Sequence, residues 1–447
     1  MSESDTNEAL GVPTQQPASA QPLSPSTQAS PTSSTPEPTA SAPQPPSRWN
    51  LAAREIMGGG AMISVLAVLL ALLVGAILIA ITDPEVQSTA GYFFARPADM
   101  LGAIWNAVAG AYTSLFQGSV YNFGRPTFLA GISPLMDTLT FATPLIAGGL
   151  GVGLAFRIGM FNIGGQGQIL MAAAAAGWVG WSFHLPPVIH LIVAILAGVA
   201  GAAVWAGIVG VLKARTGAHE VIVTIMLNWT AFYLIAYMLR TPGLLQAPGT
   251  SNPKSPPLLP NAILPPLFGP RYSIHWGFIL VIAATIFVWW LLNRSNLGFR
   301  FRAVGENPSA ARVAGINVNN MYVYGMLIAG ALVGLAGISL VLGTSTSGFG
   351  SGVDAGIGFD AITVALLGRS RPWGIFGAGL LFGALKAGGY VMQAANDIPI
   401  DIVLIVQSLI VLFIAAPPLV RAIFRLPTPG TGPRRPRPIV TKEVAAK

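Results

Sequence analysis

The sequence predicts an all-α protein, a polytopic bundle of about ten membrane-spanning helices with an unstructured tail at each end. The chain is 53% hydrophobic and only 9% charged over 447 residues, whereas soluble domains carry about a quarter of their residues as charges. Apolar runs recur at lengths near the roughly 20 residues that cross about 30 Å of hydrocarbon at 1.5 Å per residue. Proline, serine and threonine instead enrich the first fifty residues, and proline alternates with arginine near the C-terminal end.

Residues 1–55 hold no apolar run that could build a core, so they are expected to stay disordered on the cytoplasmic side. Their acidic, polar start does not fit a secretory signal, which makes the first span an uncleaved membrane helix. A transmembrane domain is expected over 56–420, followed by a basic, Pro-rich cytoplasmic tail over 421–447. The predicted spans lie near 61–82, 135–156, 168–183, 188–212, 221–239, 274–292, 321–343, 359–367, 374–392 and 400–416, the eighth being short.

Ten crossings put both tails on one side. With that side taken as the cytoplasm, the inner loops and tails hold 18 of the 24 Lys and Arg, five lie outside and Lys386 falls within a span. That asymmetry is the one expected of cytoplasmic loops. The segments from Asp83 to Pro134 and from Thr241 to Tyr272 then face outward, long enough to present a surface to an external partner.

Two polar stretches interrupt the apolar pattern, 157–168 with its glycine pairs and amides, and 343–362 with six glycines and two acids. Irregular backbone at membrane depth is tolerated where it is buried in protein or lines a wet cavity, so both fit either broken helices beside a pathway or loops at the membrane surface. If the second to fifth and the seventh to tenth spans are repeats, they run in opposite directions, which places a substrate site at their interface.

Several chemistries are excluded. The absence of cysteine removes disulfides and thiolate chemistry. No GxxxxGK[ST] loop occurs, so the chain does not hydrolyse ATP by itself. His184, His190, His219 and His275 show no metal-ligand spacing, and no metal or cofactor is expected. The basic residues are scattered at span ends, not gathered on one face, which argues against nucleic acid. Asp397 and Asp401 stand four apart near a span end and read as solvated carboxylates. Glu220 fits the dipole-favoured start of a helix, and Asp360 could cap a span in the same way. Lys386 lies mid-span and would have to snorkel, meet a carboxylate or face water.

Between the sixth and seventh spans lies a polar segment, 296–318, with the chemistry of a two-turn helix. Asn307 suits the N-cap, Pro308 the first helical position and Gly315 the stop. A helix so short needs a surface to dock against. Ala310, Ala311, Val313 and Ala314 offer it a small apolar face suited to a groove on another protein.

These segments resemble the permeases of bacterial ATP-binding cassette importers, in the branched group handling ribose, branched amino acids and nucleosides. FRIGMFNIGGQGQ is similar to the FNIG-x-x-GQ signature of the nucleoside-type subgroup, AVGENPSAARVAGI to its cytoplasmic coupling segment, and GFDAITVALLGRSRPWG to its second-half signature. The resemblance implies a permease half in the lipid bilayer, paired with a second, distinct permease chain. A cytoplasmic ATP-binding subunit and an extracellular solute-binding protein complete the assembly. It carries Glu306, Asn307, Pro308, Ala310, Ala311, Arg312 and Gly315 to the ATPase contact. Phe161, Asn162, Gln166, Gln168, Phe359 and Asp360 go to the translocation pathway, where the three amides suit a neutral, hydroxylated solute such as a nucleoside. One departure stands out, Gly165-Gln166 where the subgroup has a small residue and Glu. A sugar or branched amino acid permease is the near alternative. A proton-coupled secondary transporter, with Asp360 and Lys386 as its relay, is the distant one.

Overall fold

The fold is drawn from a computed structural model that describes residues 60–425, so the expected N-terminal tail and nearly all of the C-terminal one lie outside the described residues. The first long helix, α1 (Gly60–Thr82), stops at Asp83, whose carboxylate caps α2 (Pro84–Ala90) by accepting from the backbone N–H groups of Glu85 and Val86. After it come α3 (Pro97–Ser119) and α4 (Phe128–Gly131). The first half of the core is α5 (Ser133–Arg157), α6 (Gly165–Ser182), α7 (Pro187–Thr216) and α8 (Glu220–Arg240). A long connection containing one 3-10 turn leads to α9 (Gly277–Arg294). The short α10 (Asn296–Glu306) and α11 (Pro308–Val313) follow. The second half is α12 (Val318–Ser339), prolonged by a π-helical turn over Leu340–Thr344, then α13 (Ile357–Leu367), α14 (Pro372–Asn396), α15 (Asp401–Ala415) and α16 (Pro417–Ile423).

The described residues form a helical bundle, as expected, but the ten apolar runs do not all become long helices. Among the described residues, seven helices are long and apolar enough to cross a membrane, or eight if α15 and α16, bent by 94°, make one span. The run at 359–367 becomes α13, whose 11 residues reach only about 16 Å at 1.5 Å each. The run at 168–183 lies within α6, which starts with the polar Gly165-Gln166-Gly167-Gln168 turn and packs inside the bundle.

Small residues set the packing, as membrane helices require when no hydrophobic force drives them together. An ideal Cβ on Gly151 of α5 would lie 2.4 Å from the Ala329 carbonyl oxygen, so α5 and α12 touch backbone to backbone. Ile158, just past α5, reaches Gly325 near the start of α12, so the two helices run antiparallel. Gly305 of α10 abuts the carbonyl of Arg157, which places α10 and α11 at that same end of the bundle. The segment expected to be an outer surface from 83 to 134 is more ordered than its composition suggested. Its 23-residue α3 packs along α14, and the Thr138 hydroxyl donates to the Ser119 carbonyl at 2.7 Å.

Corresponding helices of the two halves run in opposite directions. α6 leads away from the α10 end, and the Gly180 carbonyl near its close accepts from Leu259 N. α13 leads toward that end, where Ser370 just beyond it accepts a bond from Arg157.

Candidate translocation and coupling sites

The signature stretch 158–168 is a break in the bundle, neither a continuous helix nor a surface loop. Asn162 and Gln168 are each 1% exposed and bond to one another, Gln168 Nε2 donating to Asn162 Oδ1 at 3.1 Å. Asn162 Oδ1 also accepts from Gly164 N at 2.9 Å. From α8, Asn228 completes the staple, accepting from Gly167 N and donating to the Ile163 carbonyl, both at 2.9 Å. These amides hold the start of α6 through hydrogen bonds within the protein. Phe161 is 41% exposed and stacks on Phe156 at 4.8 Å between centroids.

The break brings the two sequence signatures together. The first turns of α6 and α13 meet head to head: a Cβ on Gly358 would sit 2.3 Å from Gln166 N, and one on Gly165 would sit 2.7 Å from the Gly358 carbonyl. The Gln166 side chain hydrogen-bonds Asp354, a carboxylate only 3% exposed that also accepts from Gly356 N. An amide can donate there, whereas the subgroup's Glu would set one carboxylate against another. Discontinuous helices whose ends meet inside a bundle are the usual builders of transport sites.

Beside this junction lies a cavity of about 730 Å³, within the roughly 300–1,000 Å³ range of small-molecule sites. Its walls come from α5, α13, α14 and α15, on the parts of α5 and α14 remote from the α10 end. Phe359 and Asp360 are among its lining residues. Lys386 meets a carboxylate, its Nζ standing 2.8 Å from Asp360 Oδ2, with side chains 15% and 24% exposed. Across the cavity, Ser273 donates to Asp137 at 2.6 Å and lies 3.1 Å from the Thr140 hydroxyl. Phe141 and Tyr390 stack at 5.6 Å with 28° between their planes. Gln407 also reaches the lining, yet its Nε2 is buried without a hydrogen-bond partner among the described residues.

The lining residues Asp137, Thr140, Phe141, Ser273, Tyr390 and Gln407 escaped the sequence reading. One faint signal was available, the four-residue step from Lys386 to Tyr390 that puts both on one face of α14. Nothing local joins Ser273 to Asp137, 136 residues away.

At the other end, the predicted cap forms. Asn307 Oδ1 accepts from Ala310 N at 3.0 Å, Pro308 opens α11, and Gly315 adopts φ +81 just past it. Glu306, Asn307, Pro308, Ala310, Arg312 and Gly315 are exposed, and Val313 is 91% exposed. Ala311 is the exception: it is 4% exposed and packs into the chain's own core with Phe301, Val304 and Val318. The expected apolar docking face thus loses Ala311, which anchors α11 from beneath. A groove of about 790 Å³ runs beside α10 and α11, with Phe299, Arg300, Asn307, Ala310, Asn320 and Tyr324 among its walls.

Comparison with known proteins places this geometry. The chain is 35% identical to the guanosine ABC transporter permease protein NupP of Bacillus subtilis over 79% of its own length and 93% of that protein's. It is 37% identical to a glucose ABC transporter permease protein of Haloferax volcanii, over 63% of this chain and 75% of the relative. It is 33% identical to the nucleoside ABC transporter permease protein NupB of Lactococcus lactis, over 62% and 78% respectively. No solved structure matches it. Such permeases are multi-pass membrane components of transport assemblies, not enzymes, and work with an ATP-binding subunit, a partner permease and a solute-binding protein. The match to the family described as the permease component of branched-chain amino acid transport systems runs over residues 135–415, and the chain belongs to that family.

Proposed function

We propose that this chain imports nucleosides by alternating access, driven by a cytoplasmic ATP-binding subunit docked on α11 and the groove beside it. The observation that carries the cargo reading is the make-up of the 730 Å³ cavity. The stacked Phe141 and Tyr390 rings offer an aromatic surface for a flat base. Ser273, Thr140 and Asp137 offer donors and acceptors for ribose hydroxyls. Asp360 and Lys386 neutralise one another, so the wall favours a neutral solute over an ionic one. The guanosine permease that is similar over 79% of this chain supports the same class.

Both chain ends then face the cytoplasm with α10 and α11, a reading supported by the excess of basic residues at the inner turns. A second, distinct permease chain completes the pore, and an extracellular solute-binding protein delivers cargo to the cavity end. ATP-driven closure of the motor subunits would move α11 as a rigid element and bias the bundle between outward- and inward-open states. Uptake of labelled guanosine by the assembled transporter tests this reading. Excess adenosine or uridine should compete, and glucose or leucine should not. Competition by glucose alone would reassign the chain to sugars, in line with its halophile relative. Uptake that survives ATP depletion and collapses with the proton gradient would overturn the ATP-driven mechanism.

A further inference from the structure

A second pocket, of about 490 Å³, opens at the α10 end where α5, α9, α10 and the turn before α14 come together. Three guanidinium groups converge on it, those of Arg157, Arg302 and Arg371, joined by the Asn293 amide. No acidic side chain stands among its described lining residues. Two of the guanidiniums are fixed in place by backbone acceptors. Arg157 donates from Nε to the Ser370 carbonyl at 2.9 Å and from Nη2 to the Arg369 carbonyl at 3.4 Å, and Arg302 donates to the Leu292 carbonyl. Each guanidinium has five N–H donors, so several remain to be satisfied. Arg371 is exposed, and it immediately precedes α14, a 25-residue helix whose positive N-terminal end adds to the field. Three like charges held together without a carboxylate are mutually repulsive, and a shared anion would turn that repulsion into binding.

The surroundings specify the anion. Trp289 and Trp373 flank the arginines and are 38% and 52% exposed. They sit at the last turns of α9 and the first of α14, both long enough to cross the bilayer, which is where indole rings settle at a membrane surface. Leu292 and Pro372 supply apolar wall between them. We propose that this pocket binds the phosphate of an anionic phospholipid from the leaflet on the α10 side. Basic pockets between membrane helices recognise such headgroups. The bound lipid would brace α10 from behind, because Arg302 points into this pocket while Phe299, Arg300 and Ala303 of the same helix line the opposite groove beside α11. Lipid composition would thereby set how firmly the docking segment is held, whatever the cargo.

The test uses the permease assembled with its ATP-binding subunit in nanodiscs of phosphatidylcholine with graded phosphatidylglycerol. Native mass spectrometry should find phosphatidylglycerol retained in preference to phosphatidylcholine, and R371Q should lower that retention at least fivefold, while Arg371→Lys keeps most of it. ATP-driven uptake should rise with phosphatidylglycerol in the native protein and stay flat in R371Q, the two being equal in pure phosphatidylcholine. Equal retention by native protein and R371Q overturns the proposal. Displacement of the lipid by inorganic phosphate alone assigns the site to a free anion and overturns the lipid assignment. Loss of the ATP-binding subunit from R371Q, with lipid retention unchanged, assigns the arginines to an acidic protein partner and overturns it as well.

Discussion

The pairing of Lys386 with Asp360 shows how one ionisable residue inside an apolar helix is tolerated. A charge in the membrane interior is costly alone, and removing one member of a pair leaves the other uncompensated. With side chains 15% and 24% exposed, water in the cavity softens that cost. Asp360→Asn should therefore cut uptake about tenfold, and adding Lys386→Met to it should restore a good part of the loss; a double variant no better than the single would show that the charges act separately. The buried amides have a different role. Asn162→Ala leaves Gly164 N and Gln168 without their partner, a cost of about 2 kcal/mol. Thermal unfolding in detergent should show a lower midpoint, while the competition profile among nucleosides stays unchanged because the amide does not reach the cavity. The sequence exposed Asn162, Gln168, Asp360 and Lys386 as unusual, since polar groups in apolar runs are visible by contrast. Their partners were not legible, because the chemistry of Asp360 depends on a lysine 26 residues on and that of Gly167 on Asn228, 61 residues on.

At the scale of the element, α11 separates a contact surface from an anchor. Its local code was readable in full, since a cap, a first-turn proline and a positive-φ glycine act within a few residues of one another. Its orientation was not, because three small residues in six, Ser309, Ala310 and Ala311, leave the buried side undefined until α10 and α12 are in place. Val313 is 91% exposed and Ala311 is 4% exposed, so substitutions at the two positions should fail in different ways. V313E should leave the melting temperature of the isolated permease unchanged and abolish co-purification of the ATP-binding subunit. Ala311→Trp should lower the melting temperature itself by overpacking the space shared with Phe301 and Val304. Asn307→Ala removes the bond to Ala310 N, worth about 1 kcal/mol. It should weaken ATP-dependent uptake severalfold without preventing assembly, and undiminished uptake would argue that α11 is held by docking rather than by its cap. The same contrast explains why α3 escaped the sequence reading. Its 23 residues mix Ala, Gly and aromatics with Asp99, Asn106 and Gln117, too polar for a span, and its helix becomes evident only where it lies along α14.

The core of the described residues is two four-helix halves running in opposite senses, with α6 and α13 meeting by their first turns and the cavity on the side away from α11. Sequence periodicity revealed that arrangement only as a possibility, because span direction follows from counting crossings while the meeting of α6 and α13 rests on Gly165 and Gly358, which no pattern distinguishes from the chain's other 50 glycines. The arrangement makes a demand on transport. If the cavity is the outward-open form of a pathway, its residues must lose access to the outside as α11 is driven from within. The chain contains no cysteine, so single cysteines report access without background. Tyr390→Cys lines the cavity and is exposed, and Ser309→Cys lies on α11 at the opposite end. A membrane-impermeant thiol reagent added outside intact cells should label position 390 and spare position 309, whereas reagent admitted only to the cytoplasm should label position 309. Guanosine delivered with the solute-binding protein should slow labelling at 390 at least threefold by occupying the cavity. Labelling of position 309 from outside would invert the assigned orientation, and labelling at 390 that is indifferent to both ATP and guanosine would remove the cavity from the transport pathway.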